Sequence, residues 1–215
     1  MALWAAIGHQ LRNPHGLGGR WTGRFMRVVN RVPNELAVDA LRLTSLDVAL
    51  DLGCGPGQAI ALMAERACMV HGLDQSSTML TQARQANLKS IARGRVILRR
   101  GTFDKLPYAN ASMDKILASN VMYFWPDIPA VLQEMRRVLR PGGRIVVYVT
   151  DEQSMRKWKF ARSDTHRLFD AAGLEAALRH APFEDSDVHV QQLTLSAGIR
   201  GLLATIAVPN LQSLP

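Results

Sequence analysis

The segment Val48–Gln58, V-A-L-D-L-G-C-G-P-G-Q, constrains the fold more than any other part of the chain. An apolar run ends in Asp51 and then breaks into glycines at alternate positions, Gly53, Gly55 and Gly57. A strand buried on both faces reads as a continuous apolar run, and a glycine cluster marks the tight turn that ends it. Glycine reaches backbone conformations closed to other residues and lets a ligand come close to the main chain. The Asp51 carboxylate sits where the strand runs out and can face such a ligand.

The ligand class follows from spacing. A dinucleotide fingerprint needs G-x-G-x-x-G, and here the third glycine falls one place early, with Gln58 in its stead. A phosphate loop needs Gly-Lys-Ser/Thr, which the segment lacks. The turn therefore cradles something less charged than a diphosphate. A second acid, Asp74 in M-V-H-G-L-D-Q-S, ends the next predicted strand 21 residues after Gly53. An acid at that place accepts hydrogen bonds from both hydroxyls of a ribose. The plainer role for Asp74 is to stabilise the helix that begins near Ser76.

The rest of the chain alternates. Strands are predicted near 48–52, 68–73, 95–100, 113–118 and 144–150, and helices near 57–66, 76–87, 127–139 and 163–173. Pro141-Gly142-Gly143 is expected to end the third of these helices and turn the chain into R-I-V-V-Y-V-T. Such alternation implies a doubly wound parallel sheet. The ending differs: Val188–Leu193 and Leu202–Ala207 are strand-like runs with no helix between them, most simply an antiparallel pair. Upstream, helices are predicted over about Thr22–Arg31 and from Pro33 to Leu43, the second with Leu36, Ala40 and Leu43 on one face. The expected organisation is an N-terminal helical lid over residues 1–45, followed by the ligand-binding domain over 46–215.

Composition narrows the partners. With 47% hydrophobic residues, 215 residues can bury a full core. No apolar run reaches membrane-spanning length, and the opening M-A-L-W-A-A-I-G-H-Q lacks the basic flank of a signal peptide. Cys54 and Cys68 are the only cysteines and do not have metal-type spacing, so neither a metal site nor a disulfide framework is expected. The expected compartment is the cytoplasm. The net charge is +8. Arg12, Arg20, Arg24, Arg27 and Arg31 crowd residues 1–34, which hold no acid, and a second basic stretch carries Lys89, Arg93, Arg95, Arg99 and Arg100. These read as solvated arginines or as the mark of an anionic partner. Neither stretch has the interleaved aromatics that stack single-stranded bases.

Taken together, these segments resemble the class I S-adenosylmethionine-dependent methyltransferases, of the small-molecule, ubiquinone-biosynthesis-like type. L-D-L-G-C-G-P-G resembles the family's first motif and H-G-L-D-Q-S-S-T-M-L its second. The stretch from Gly101 to Phe124 resembles the third and fourth, and V-L-R-P-G-G-R-I-V-V the fifth. The resemblance spans about 48–150, with the motifs in the family's order. It implies an α/β fold: a Rossmann-like, seven-stranded sheet, mostly parallel with a reversed last strand, and helices on both faces.

The resemblance also implies roles. Asp51, Gly53, Cys54, Gly55, Gly57 and Gln58 would hold the methionine end of S-adenosylmethionine. Asp74 would take the ribose hydroxyls, and Gln75 and Met79 would flank the adenine. Thr102 and Phe103 stand where the family often has Asp-Ala, so the adenine amino group loses its usual acid. Asn120 would lie beneath the sulfonium end, and Asp114, which precedes the buried part of its strand, reads as structural. Tyr123, His166 and Asp151 are candidates for a catalytic role by position alone. Trp21, Phe25 and Met26 of the lid would face the acceptor or pack on the core, and the lid's arginines would suit an anionic acceptor.

The main functional reading is methyl transfer to a small-molecule or lipid-like acceptor. The alternatives are a nucleic-acid methyltransferase using the basic surface and a protein that binds S-adenosylmethionine without turnover. Asn-Pro-Pro-Tyr, which marks many amino-group methylases of nucleic acids, is replaced here by S-N-V-M-Y-F.

Overall fold

The structure is a computed structural model that describes residues 29–158, 161, 166–179, 182–183, 186–195 and 198–210. Seven strands form one sheet: β1 (Val48–Leu52), β2 (Met69–Asp74), β3 (Val96–Arg100), β4 (Met113–Ser119), β5 (Leu139–Thr150), β6 (Asp187–Thr194) and β7 (Arg200–Ala207). Their order is β3-β2-β1-β4-β5-β7-β6, with β7 antiparallel to both neighbours and every other pairing parallel. The seven-stranded, doubly wound sheet with a reversed last strand is thus observed.

Both faces of the sheet are buried. Ile145, Val147 and Val149 of β5 enter one core cluster, and Val146 and Tyr148 enter the other, as the two-residue period of a strand requires. On the first face lies α5 (Ile128–Val138), with Val131, Leu132, Met135 and Val138 turned inward. The second face is covered by α1 (Arg31–Ala40), α2 (Gln58–Ala64) and α3 (Ser77–Ala86). Three short or late α-helices, α4 (Leu88–Ala92), α6 (Glu152–Met155) and α7 (Ala171–Arg179), and a 3-10 turn at Met122–Phe124 complete the described elements. No helix among the described residues is long and apolar enough to cross a membrane.

Several sequence expectations need correction. The buried face of α1 is Pro33, Asn34, Ala37 and Val38, continued by Leu41, whereas Leu36, Ala40 and Leu43 are only half-buried. Helix α1 packs into the second core cluster, so this part of the 1–45 segment is built into the sheet's cover. The predicted helix from Thr22, together with Trp21, Phe25 and Met26, lies outside the described residues. The helix expected at 163–173 is found at 171–179, where Asp170 Oδ1 accepts from Gly173 N at 2.7 Å and caps its start. Strand β5 begins at Leu139, ahead of Pro-Gly-Gly rather than after it. The pairing with β4 jumps from Met113↔Leu139 to Lys115↔Arg144, a bulge that absorbs the turn residues.

Asp114, read as structural, holds that bulge. Its Oδ2 accepts from Val48 N at 2.8 Å and from Arg140 Nη1 at 2.7 Å. Strand β1 pairs with both β2 and β4, so the order reverses at its carboxyl end. Open α/β sheets bind ligands in the crevice at such a switch point. The glycine turn after β1 opens there.

Candidate functional site

The turn is held by the neighbouring strand: Gly53 N and Cys54 N both donate to Leu73 O, at 2.8 and 3.0 Å. Gly53, Gly55 and Gly57 all take positive φ, at 78°, 50° and 79°. Their reasons differ. A Cβ on Gly53 would lie 2.8 Å from Val121 Cβ, and one on Gly57 the same distance from the Ala83 backbone. A Cβ on Gly55 would meet nothing within 4 Å. Gly55 therefore floors an open cleft, while Gly57 starts α2 in the left-handed conformation and lets it pack on α3.

The cleft encloses about 250 Å³ and is lined by Gly53, Gly55, Asp74, Gln75, Met79, Thr102, Phe103 and Asn120, all singled out from sequence. A smaller hollow of about 30 Å³ shares Gly53, Gly55 and Ser119 with it and adds Asp51, Cys54 and Gln58. The structure thus brings eleven of the twelve expected cofactor residues together, and Gly57 stands off both spaces. Sequence reasoning missed Ser119, Asp104, Phe124, Asn30 and Asn34, which also line them. Asp104, two residues past Thr102, returns a carboxylate to the loop where the family often has one. Only its place beside Thr102-Phe103 could have signalled it.

Each acid has a distinct setting. Asp74 Oδ2 accepts from Gly55 N and Oδ1 from Ser76 N, both at 2.8 Å, so the carboxylate ties the glycine turn to the start of α3. Ser76 itself caps α3, its Oγ accepting from Met79 N at 3.2 Å. Burial pushes the Asp74 carboxyl up, opposed by these backbone donors. Asp51 is 2% exposed and its Oδ2 has no hydrogen-bond partner. Burial, and then the neighbouring Asp74 charge, push its carboxyl from 3.8 to about 8. A buried polar atom without a partner is rare and marks a place where a ligand group fits.

This state has a pH signature. The folded-state value lies above the ordinary one, so the folded protein keeps the Asp51 proton where the unfolded chain has lost it. The contribution of Asp51 to stability is greatest below about pH 3.8, falls as pH rises, and levels off above about pH 8. Asp51→Asn is expected to raise the Tm of the ligand-free protein by at least about 4 °C at pH 8.5 and by less at pH 5. Thermal melts across that range check this.

The loop carrying Thr102, Phe103 and Asp104 is fixed from α5. Leu106 N donates to Glu134 Oε2 at 2.7 Å, and Arg137 Nη2 donates to Leu106 O at 3.0 Å. The bond from Arg137 holds the Glu134 carboxyl below the usual carboxylate range. Arg137, in the last turn of this helix, thus anchors the loop through Leu106 O and Glu134.

The three catalytic candidates fare differently. The Tyr123 hydroxyl donates to Asn120 Oδ1 at 2.9 Å and accepts from Thr150 N. Burial pushes its phenol well above the usual tyrosine range, which disfavours it as a base. His166 packs its ring 4.8 Å from Phe124 and 6.1 Å from Tyr123. Asp151 is buried and caps α6, its Oδ1 accepting from Gln153 N at 2.9 Å. Asp151 lines neither space. Among the described residues no group of three His, Cys, Asp or Glu side chains could hold a metal ion.

A glycine-floored cleft at a sheet's switch point, with carboxylates at both ends of the turn, defines a nucleoside-binding α/β domain. Residues 50–147 match the family described as methyltransferase domain. A putative methyltransferase of Encephalitozoon cuniculi is 30% identical over 154 residues, covering 63% of this chain and 68% of that protein. The 27-O-demethylrifamycin SV methyltransferase of Amycolatopsis mediterranei is 31% identical over 134 residues, 62% of this chain and 49% of that one. The chain spans about half the length of the latter, and 35% of a transposon-encoded Streptomyces fradiae protein to which it is 36% identical. A chain from the complex between the Haloferax volcanii Trm112 methyltransferase activator and the putative methyltransferase superposes with a TM-score of 0.75 at 21% identity. That likeness, over 88% of this chain and 93% of the other, is one of fold. The chain belongs to the class I S-adenosylmethionine-dependent methyltransferases.

Proposed function

We propose that the protein transfers the methyl group of S-adenosylmethionine to a small-molecule acceptor. The observation that carries this reading is the charge of the cleft. Asp74 and Asp104 line it, Asp51 lines the adjoining hollow and keeps its proton until a cation arrives, and no Lys, Arg or His lines either space among the described residues. A site of that kind repels a pyrophosphate and suits a ligand with a sulfonium and an ammonium. The residues fit the cofactor: the orphaned Asp51 oxygen offers a partner for the ammonium, and Gly55 leaves the backbone bare beneath it.

S-adenosylmethionine supplies a methyl already activated on sulfur. The chain's contribution is position. Asp74 takes the ribose hydroxyls, Met79 and Phe103 wall the adenine, and Thr102 and Asp104 offer polar atoms at its edge. Asn120, held by Tyr123 in a left-handed backbone conformation at φ 53°, stands with Val121 and Phe124 toward the acceptor. Holding donor and acceptor in line supplies most of the acceleration in a displacement of this kind. No general base is required unless the acceptor must first lose a proton. His166, beside Phe124, is the titratable side chain best placed for that, and Tyr123 serves Asn120 instead.

Relatives named for rifamycin and trans-aconitate methylation support a small-molecule acceptor. Two free cysteines, one buried and one exposed, are compatible with a cytoplasmic setting. An anionic acceptor would draw its cations from the arginines before residue 29. Reversing the charge of Arg20 and Arg24 is then expected to raise acceptor KM about tenfold with kcat little changed. An unchanged KM rules that acceptor class out.

One observation favours the nucleic-acid reading: none of the ion pairs among the described residues uses Lys89, Arg93, Arg95, Arg99 or Arg100. An RNA affinity that falls steeply with salt would support it. The acid-lined cleft weighs against it.

A further inference from the structure

The wall of the small hollow opposite the glycine turn comes from α1, a helix that sequence analysis assigned to a lid over the acceptor. Two pairs of side chains join it to the end of β4. Ser119 Oγ donates to Asn34 Oδ1 at 2.8 Å, and Asn120 Nδ2 donates to Asn30 Oδ1 at 3.1 Å. Asn30 and Asn34 are one helical turn apart and so share a face. Asn34 is 7% exposed, an unusual place for an amide unless it serves partners.

Its nitrogen is underused. Asn34 Nδ2 carries two protons and spends one on Gln58 Oε1, at a long 3.4 Å. The Gln58 amide nitrogen makes no hydrogen bond among the described residues. Both amides line the hollow that also holds the unpartnered Asp51 oxygen. The hollow thus brings together neutral amide N–H donors and a carboxyl, with no cation among its lining residues. Its 30 Å³ holds about two or three water-sized groups. Donors and an acceptor lining one hollow match a zwitterion: the carboxylate of an α-amino acid toward the amides, its ammonium toward Asp51.

We propose that Asn34, seconded by Gln58, is a specificity-determining residue that reads the carboxylate of the cofactor's α-amino-acid group, making α1 a wall of the donor site. The inference rests on the reading of the cleft as the S-adenosylmethionine site. Asn34 acts by direct donation, and Ser119 fixes which way its amide points. Because the reader is a neutral amide, a carboxylate placed there repels the ligand while keeping the shape and the Ser119 bond.

The test is calorimetric titration of two probes, S-adenosylhomocysteine and 5′-methylthioadenosine, which lacks the amino-acid group. Asn34→Asp is expected to weaken S-adenosylhomocysteine about tenfold or more and to leave 5′-methylthioadenosine within about twofold. Gln58→Leu, at a half-buried site, is expected to weaken the first about threefold with the same selectivity. If the first probe binds both variants as it binds the wild type, the inference is overturned. Equal weakening of both probes also overturns it, because that reports a loosened cleft. Failure of the wild type to bind either probe defeats the cofactor reading itself, and this inference with it.

Discussion

Asp74→Ala is expected to weaken S-adenosylhomocysteine binding by about 100-fold or more. Each carboxylate oxygen has two lone-pair sites, and one on each is taken by a backbone N–H, from Gly55 and from Ser76. The carboxylate lines the cleft, where its remaining lone pairs can accept from a ribose diol. Hydrogen bonds to a charged group are worth about 1.5–3 kcal/mol each, so losing two removes about 3 kcal/mol or more. The same substitution frees Gly55 N and loosens the turn that floors the site. Asp74→Asn keeps an acceptor oxygen but loses the charge, and its affinity should fall between the two. Calorimetry settles the order, and unchanged affinity in the alanine variant would remove Asp74 from the site.

Gly53→Ala is the second large effect, and it strikes stability and binding together. The added methyl would stand 2.8 Å from Val121 Cβ, closer than carbon atoms approach, with φ at 78° where L residues are strained. The backbone there is pinned by the bond from Gly53 N to Leu73 O, so the turn cannot swing aside. The strain of a left-handed alanine is about 1 kcal/mol, and overpacking adds about 1–3 more. For a chain of this size that lowers Tm by about 5–12 °C. Val121→Ala beside it should recover only part of the loss, because the Val121 Cβ remains. By contrast Gly55→Ala meets no atom, so it should cost only the left-handed strain, about 1 kcal/mol, while weakening cofactor binding. Thermal melts of the three variants separate the packing role of Gly53 from the ligand-facing role of Gly55.

The sheet was legible because its signals are local. Val48–Leu52 is apolar throughout since both its faces are buried, and the glycines announce the turn. The two runs near the end pair antiparallel because too little chain lies between them for a crossover. What escaped depends on distant partners. Leu36, Ala40 and Leu43 form the better apolar stripe of the predicted helix, yet Asn34 is buried with Ala37 and Val38, and Ser119 and Gln58 meet its amide. Nothing within ten residues of Asn34 announces that. The start of α7 was missed for a local reason: Asp170 is a sound cap, but the polar stretch before it resembled helix.

The candidate site shows the same division. Its acids and glycines sit at strand ends, where motif spacing reveals them. Asp104, Ser119 and Phe124 enter it only because β4 and the loop after β3 reach the same crevice. Tyr123 and Asp151 suggested chemistry by type and place. Their hydrogen bonds assign them to holding Asn120 and capping a helix.

A crystal structure with S-adenosylhomocysteine tests the central claim most directly. It should show the ribose on Asp74, the amino group on Asp51 and the sulfur turned toward Asn120 and Phe124. A ligand seated elsewhere, or reversed so that its adenine lies against Asp51, would contradict the account.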